Sequence, residues 1–409
     1  MTDRLYLADS HLSSCTATVT ACHGTADGYD LELDRSVFFP NAGGQPSDTG
    51  TFTLPDGGTV AITGADELDD GTLFHHATAP VAPGTAVTAA IDWDRRFDLM
   101  QQHTGEHMLS WAASVLYGAT NVGFHLTTGY GTIDLDIPLT AEQVRAIEAH
   151  ANACCEKNLA VTARLYESEE AIRDIPLRKH AEGLTAPIRI VFIEGADTCT
   201  CCAPHCYTTG EVGPLFFTEA VSYKGGTRLT FLCGQRALRY LRETHDSLDA
   251  IARHFSTART GAVEAGLREG EELAACRRHE KELAAKCRSH LAEELKAGAE
   301  TIGKWKLIAG PATGMEPGDL RPLAQQALTE DACILLFAGS GERVSYLLMT
   351  GKRVSLDTAE LAAAVNAATG GKGGGRNGSA QGSAPAEAVR DGGMDAAIGY
   401  LRARLKALK

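Results

Sequence analysis

In the stretch DLMQQHTGEHMLS, residues 98–110, His103 and His107 stand four apart with Glu106 between them. On a helix, residues at i and i+4 lie one turn apart on the same face, so both imidazoles reach a single ion. A pair is only half a metal site, because zinc takes about four donors, and two ordinary helix residues would look the same. A second supply of donors lies far downstream in CTCCAPHCYTTGEVG, residues 199–213. There Cys201 and His205 are four apart, as are Cys202 and Cys206, which is more soft donors than one zinc ion accepts. Combining His103, His107, Cys201 and His205 gives three imidazoles and one thiolate. That set suits zinc in a fairly closed tetrahedral site, where substrate or water enters by expansion or ligand exchange. The bland alternative is that the cysteines are small buried hydrophobes.

The surrounding chain has 409 residues, too many for one ordinary core, so roughly two to four domains are expected. No run approaches the roughly twenty apolar residues that cross a bilayer, which excludes a helical membrane partner. The start, MTDRLYLADS, lacks the apolar segment of a signal peptide, and a cytoplasmic protein is expected. In a reducing compartment the crowding of Cys199, Cys201, Cys202 and Cys206 reads as thiols for metal or reactivity rather than as disulfides. The formal net charge of -14 argues against a nonspecific polyanion binder, yet it leaves room for a basic patch on one domain.

The elements that must position these donors change along the chain. Residues 1–90 carry short alternating runs, YDLELDRSVFF, GTFTLP and GTVAITG, between turn residues, and predict a β-rich, barrel-like domain. Residues 91–240 predict an α+β metal-binding domain. It has a helix through both histidines, a strand in YGTIDLDIP, a helix capped by Thr140 with Gln143 three residues on, and a strand in IRIVFIEG. Residues 241–300, charged and alanine-rich with Leu273, Cys276, Leu283, Cys287 and Leu291 near heptad spacing, predict a helical connector. Residues 301–409 predict a small α/β domain with a glycine-rich loop, TGGKGGGRNGSAQGSAP. The fold class expected is therefore α+β and multidomain.

Taken in order, FFPNAGGQPSDTGTF, RRFDLMQQHTGEHMLS, FHLTTGYGTIDLD, APHCYTTGEVG and LTFLCGQRALRYL resemble the free-standing alanyl-tRNA editing proteins, which are related to the editing and C-terminal parts of alanyl-tRNA synthetase. The glycine-rich segment is similar to that of the domain accompanying the editing module in longer members, so the likeness spans nearly the whole chain. In that family HxxxH and a later CxxxH hold zinc, which the resemblance carries onto His103, His107, Cys201 and His205. It implies a zinc-dependent aminoacyl-tRNA hydrolase acting on mischarged tRNA(Ala), Ser-tRNA(Ala) first and Gly-tRNA(Ala) second, with one zinc ion per chain and no ATP. Two stretches depart from the pattern. Cys202, Ala203 and Pro204 stand where the family has two glycines and a threonine, and Ala42 stands where it tends to have glycine. The thiols of Cys202 and Cys206 leave open which sulfur binds.

Gln45 is the best candidate outside the ligands, since a carboxamide can donate to an ester and accept from a water. Alternatively Gly43, Gly44 and Pro46 merely build a turn and leave the glutamine exposed. Glu106 can orient a ligand, act as a base, or be a solvated helix residue. Thr209, with Gly210 and Glu211, is expected in the wall beyond the CxxxH loop, Thr209 or Glu211 contacting the water or ribose. Arg189, Arg228 and Arg236 are candidates for RNA phosphate, with surface ion pairs as the alternative. Lys372 and Arg376, among seven glycines between Gly370 and Gly382, are stronger ones, and the segment does not fit a nucleotide-binding P-loop. A homodimer through the connector or the C-terminal domain is compatible with the stripe. Two rival functions follow from the same residues: a non-catalytic RNA-binding protein with structural zinc, and a metallopeptidase using HTGEH as HxxEH, which would leave CxxxH unexplained.

Overall fold

The computed structural model describes residues 2–179, 186–339 and 341–408. The chain divides into two compact units, Met1–His254 and Phe255–Lys409. In the first, six strands close into an antiparallel barrel in the order Ser14–Gly24, Tyr29–Leu33, Leu73–Ala77, Thr59–Glu67, Gly50–Thr53 and Ala86–Ile91. Alternation explains it. Along Thr59–Glu67 the side chains of Val60, Ile62 and Ala65 turn inward, beside Leu31, Phe38, Phe52 and Leu73, and each large one stabilises the barrel by about 1.5–3 kcal/mol. The expected β-rich start is thus a fully closed barrel, which leaves no sheet edge unpaired.

The barrel hands over to the helix Trp93–Tyr117, which starts on the Asp92 carboxylate and ends at Gly118 in the left-handed region. From Leu99 to Ser110 every residue of this helix is buried, histidines included. It is enclosed on all sides, so its polar side chains must find partners inside the protein. One side packs on a four-stranded antiparallel sheet ordered Leu215–Tyr223, Gly226–Cys233, Gly131–Leu135 and Asn121–Leu126. The approach is close. A Cβ on Gly105 would stand 2.3 Å from the Cys233 sulfur, so the residue between the two histidines has room only as glycine. Packed directly beside the helix Trp93–Tyr117 in the same core lies the helix Ala141–Glu156, opened by the expected capping box between Thr140 and Gln143. A three-stranded sheet, Val161–Tyr166, Ile188–Ile193 and Thr198–Thr200, delivers the chain to the cysteine loop.

Barrel and helix are locked by a fully buried ion pair. Arg96 pairs with Asp48 and donates to the carbonyls of Ser10 at 3.0 Å and Val37 at 2.6 Å. Asp48 also accepts from the Phe39 amide at 2.7 Å, closing the loop that holds Gln45. At the tip, Ala42 and Gln45 exchange backbone hydrogen bonds across Gly43 and Gly44, whose φ angles of 60° and 75° make a tight two-residue turn. Ala42, in place of the family's glycine, lies outside the left-handed positions.

The residues expected as one connector form two helices, Gly234–His254 in the first unit and Ala262–Ala297 in the second. The second unit has a six-stranded mixed sheet ordered Glu300–Ile302, Trp305–Pro311, Ala332–Ala338, Arg343–Thr350, Ser379–Pro385 and Lys372–Arg376. Its central strand, Ala332–Ala338, is buried throughout. Helices Thr358–Thr369 and Met394–Ala407 cover one face; Leu320–Ala327 and the end of Ala262–Ala297 cover the other. The glycine-rich segment expected as a loop is instead a hairpin. Lys372–Arg376 pairs with Ser379–Ser383 across Asn377 and Gly378, both at positive φ. Asn-Gly is a strong hairpin signal, and the glycines let the strand lie against its neighbour, since a Cβ on Gly375 would meet the Ser379 carbonyl at 2.1 Å.

Candidate metal centre

The helix and the cysteine loop bring His103, His107, Cys201 and His205 together, with one donor atom from each lying within 4.8 Å of the others. The Cys201 sulfur is 3.4 Å from His103 Nε2 and 3.3 Å from His205 Nε2. Donors on a tetrahedral zinc ion are separated by about 3.5 Å, so the residues present fit that ion. Neither Cys202 nor Cys206 joins the set. Cys202 is exposed, and Cys206 is buried in the apolar core, where burial pushes its thiol up to about 12. Of the three sulfurs, position sets only Cys201 among the imidazoles.

Each imidazole is gripped at its other nitrogen. His103 Nδ1 donates to Gln45 Oε1 at 2.8 Å, His107 Nδ1 to Asp197 Oδ2 at 2.9 Å, and His205 Nδ1 to Thr104 Oγ1 at 3.1 Å. A proton held at Nδ1 leaves the Nε2 lone pair to face the centre. Asp197 is itself held by Arg178, Nε to Oδ1 at 2.6 Å and Nη2 to Oδ2 at 3.1 Å. Burial would raise the Asp197 carboxyl, but His107 and Arg178 outweigh it and hold the carboxyl below its ordinary value. Burial likewise pushes the Cys201 thiol up, and the neighbouring imidazoles of His103 and His205 override it, holding the group well below its usual range. That direction favours the thiolate, the form a metal would need.

Three of the four donors, His103, His107 and Cys201, line a cavity of about 630 Å³ walled also by Phe39, Phe124, Asn121, Lys179 and Glu106. Glu106 is 5% exposed. Its Oε1 accepts from Ser110 Oγ at 2.6 Å and Asn121 Nδ2 at 2.7 Å, while Oε2 lies 3.8 Å from His107 Nε2. A second trio of donors, His107, Asp197 and Cys199, shares His107 with the first.

The other expected site residues are placed differently. Gln45, expected at the ester or exposed on its turn, is 1% exposed and stands behind His103, outside the cavity wall. Thr209 is fully buried with its hydroxyl committed to backbone, donating to the Cys154 carbonyl at 2.8 Å and accepting from the Leu159 amide at 2.8 Å. It joins the end of one helix to the next turn instead of facing the cavity. Arg189 is buried and donates to the carbonyls of Cys201 at 2.9 Å and Ala203 at 2.8 Å, stapling the ligand loop. Arg236 is buried against Asp98 and the Thr127 carbonyl. Neither guanidinium is open to phosphate, because a buried cation must spend its donors on internal acceptors. Arg228 pairs with Asp134 at 2.6 Å and stacks 3.7 Å over the Tyr223 ring, partly exposed. Lys372 and Arg376 are exposed on the hairpin of the second unit, remote in sequence from every ligand. Asp197, Thr104, Asn121 and Arg178 were not singled out by spacing, since each is an ordinary polar residue until the fold sets it beside a ligand or Glu106.

No family model matches the chain. Among curated proteins it is 32% identical over 260 residues to the alanyl-tRNA editing protein Aarsd1 of Mus musculus, covering 59% of this chain and 61% of that one. It is 29% identical over 264 residues to the alanyl-tRNA editing protein AlaX-L of Pyrococcus horikoshii, covering 61% and 64%. It is also 29% identical over 344 residues to the alanine–tRNA ligase of Thermococcus kodakarensis, covering 82% of this chain and 37% of the ligase. A solved structure, the C-Ala domain from Aquifex aeolicus alanyl-tRNA synthetase, aligns with 27% of this chain and 98% of its own at 24% identity and a TM-score of 0.24. The chain spans 60–65% of the length of the first curated relatives it matches. By these similarities the chain is a homologue of the free-standing alanyl-tRNA editing proteins.

Proposed function

We propose that the chain is a zinc-dependent hydrolase of the ester in mischarged tRNA(Ala), acting on Ser-tRNA(Ala) first and Gly-tRNA(Ala) second. The observation that carries this reading is the convergence of His103, His107, Cys201 and His205, the first three of them at the wall of a cavity that has room for an aminoacyl group. A zinc ion held by these four supplies Lewis acidity beside the ester. The chain's own residues do the rest. Gln45, Asp197 and Thr104 fix the three imidazoles, Phe39 and Phe124 keep water from crowding the cavity, and Glu106 presents a carboxylate oxygen to what enters. An aminoacyl ester is already activated, so positioning supplies much of the rate.

The exposed cations Lys372 and Arg376 are the proposed contacts to tRNA phosphate, and the partly exposed Arg228 is a weaker one. Exposed Leu267, Leu273 and Leu283 on the helix Ala262–Ala297 support self-association as a homodimer. No helix among the described residues is long and apolar enough to cross a membrane, and the proposed place of action is the cytoplasm.

The test is release of serine from Ser-tRNA(Ala), with Ala-tRNA(Ala) as control, by the intact protein and by Cys201→Ala with zinc content recorded. Rapid release that is lost in a folded Cys201→Ala variant supports the reading. No release from either Ser-tRNA(Ala) or Gly-tRNA(Ala) by folded, zinc-replete protein overturns it in favour of RNA binding.

A further inference from the structure

We propose that Glu106 is the counter-ion for the α-ammonium group of the substrate, so that the cavity selects esters with a free amino group over N-acylated ones. This rests on the reading of the site as an aminoacyl-ester hydrolase. Glu106 is buried and lines the cavity, and one of its oxygens is already spent: Oε1 takes Ser110 Oγ and Asn121 Nδ2, which together fix the carboxylate plane. No hydrogen bond among the described residues reaches Oε2. Its nearest charged or ring nitrogen is His107 Nε2 at 3.8 Å, beyond hydrogen-bond reach and already part of the metal set. Glu106 does not belong to that set, so its free oxygen stands beside the ligands and not among them.

The cations around the cavity are engaged elsewhere: Arg178 gives Nε and Nη2 to Asp197, Arg189 gives Nε and Nη1 to the carbonyls of Leu7, Cys201 and Ala203, and Lys179 Nζ bonds the Asn121 carbonyl at 3.2 Å. A buried carboxylate with one unpartnered oxygen is costly; a metal at the neighbouring donors would offset part of that cost, and an entering ammonium can add the direct hydrogen bond that Oε2 lacks. An aminoacyl ester brings one, on the carbon next to the ester carbonyl. With that carbonyl beside the donors, the neighbouring ammonium is one carbon away and within reach of Glu106, which lines the same cavity and whose Oε2 lies 3.8 Å from His107 Nε2. Glycine and serine both carry this group, so Glu106 accepts the class of substrate without choosing between its members.

The experiment compares Ser-tRNA(Ala) with N-acetyl-Ser-tRNA(Ala) on the intact protein and on Glu106→Gln, whose amide oxygen can still accept from Ser110 and Asn121. Zinc content and thermal unfolding are recorded for both proteins. The wild type is expected to favour the free amine by about tenfold or more, the size of a charge-assisted hydrogen bond, and Glu106→Gln to bring that ratio toward one, chiefly through KM on the free amine. Equal rates on the two esters in the wild type overturn the proposal. An equal fall on both esters in the variant also overturns it and makes Glu106 a base or a structural residue. Binding of the non-hydrolysable amide, 3′-seryl-amino-3′-deoxyadenosine, and of its N-acetyl form separates this from the parent reading. If no ester is cleaved yet the free amine binds tighter in a Glu106-dependent way, the ammonium site stands and the hydrolase reading fails. If the two amides bind alike, the ammonium site fails whatever the hydrolysis shows.

Discussion

Gln45 and His103, 58 residues apart, meet at 2.8 Å, the carboxamide oxygen accepting from Nδ1 on the side of the ring opposite the Cys201 sulfur. That contact sets which nitrogen of His103 carries the proton, and so which one is free for a metal. Gln45→Leu is expected to lower zinc affinity about 10- to 100-fold while leaving the barrel folded, because partners behind a ligand commonly contribute that much. Titration against a competing chelator measures it. Unchanged affinity would mean that His103 is oriented by its packing alone.

Asp197 grips His107 and is in turn gripped by Arg178. Asp197→Asn keeps the shape but leaves the Arg178 charge buried without its anion, which costs about 3–5 kcal/mol. Urea unfolding should shift accordingly, and zinc affinity should fall with it. A variant as stable as the wild type would show that Arg178 finds another acceptor.

Gly105→Ala drives a methyl group into the Cys233 sulfur at 2.3 Å. Overpacking of this kind costs about 1–3 kcal/mol. Adding Cys233→Ala removes the clashing atom and should recover most of the loss. If the double variant is no better than the single one, the strain lies elsewhere, with Leu215 at 3.3 Å the next contact.

His75 sits wholly inside the barrel, its Nδ1 donating to the Leu31 carbonyl at 3.0 Å and its Nε2 accepting from Ser36 Oγ at 2.7 Å. Burial pushes its imidazole down to about 4 from 6.5. Because the folded value is the lower one, the unfolded chain binds this proton first as pH falls. The contribution of His75 to stability is therefore whole above pH 6.5 and shrinks between 6.5 and about 4, by at most about 1.4 kcal/mol per pH unit. Trp93 and Trp111 fluorescence in a Trp305→Phe background reports unfolding of the first unit. His75→Gln should flatten that part of the pH profile, and an unchanged slope would assign it to other groups.

Lys372 and Arg376 are exposed and make no ion pair among the described residues, so their effect should be electrostatic. Replacing both by alanine is expected to weaken tRNA binding and to reduce the salt dependence of log K by about two, while serine release from a minimal aminoacyl-adenosine ester stays unchanged. An unaltered salt slope would remove the hairpin from the RNA surface.

Much of this protein was legible from local pattern. The four donors were visible as two i,i+4 pairs, the barrel strands as alternating runs, and the second helix through Thr140 and Gln143, because a helix or strand writes its own period into neighbouring residues. Asn377-Gly378 also carried a hairpin signal that the surrounding glycines obscured. Only the tertiary structure decided which sulfur joins the imidazoles, what stands behind each of them, and which arginines remain open. Arg189 and Arg236 look like Arg228 in sequence, yet packing buries the first two against carbonyls and Asp98, while Arg228 stays partly exposed. Asp197 reaches His107 across 90 residues and Gln45 reaches His103 across 58, and no local spacing encodes such a meeting. These contacts exist because a buried polar atom must find a partner, and the partner is whichever group the packed core brings within hydrogen-bond distance.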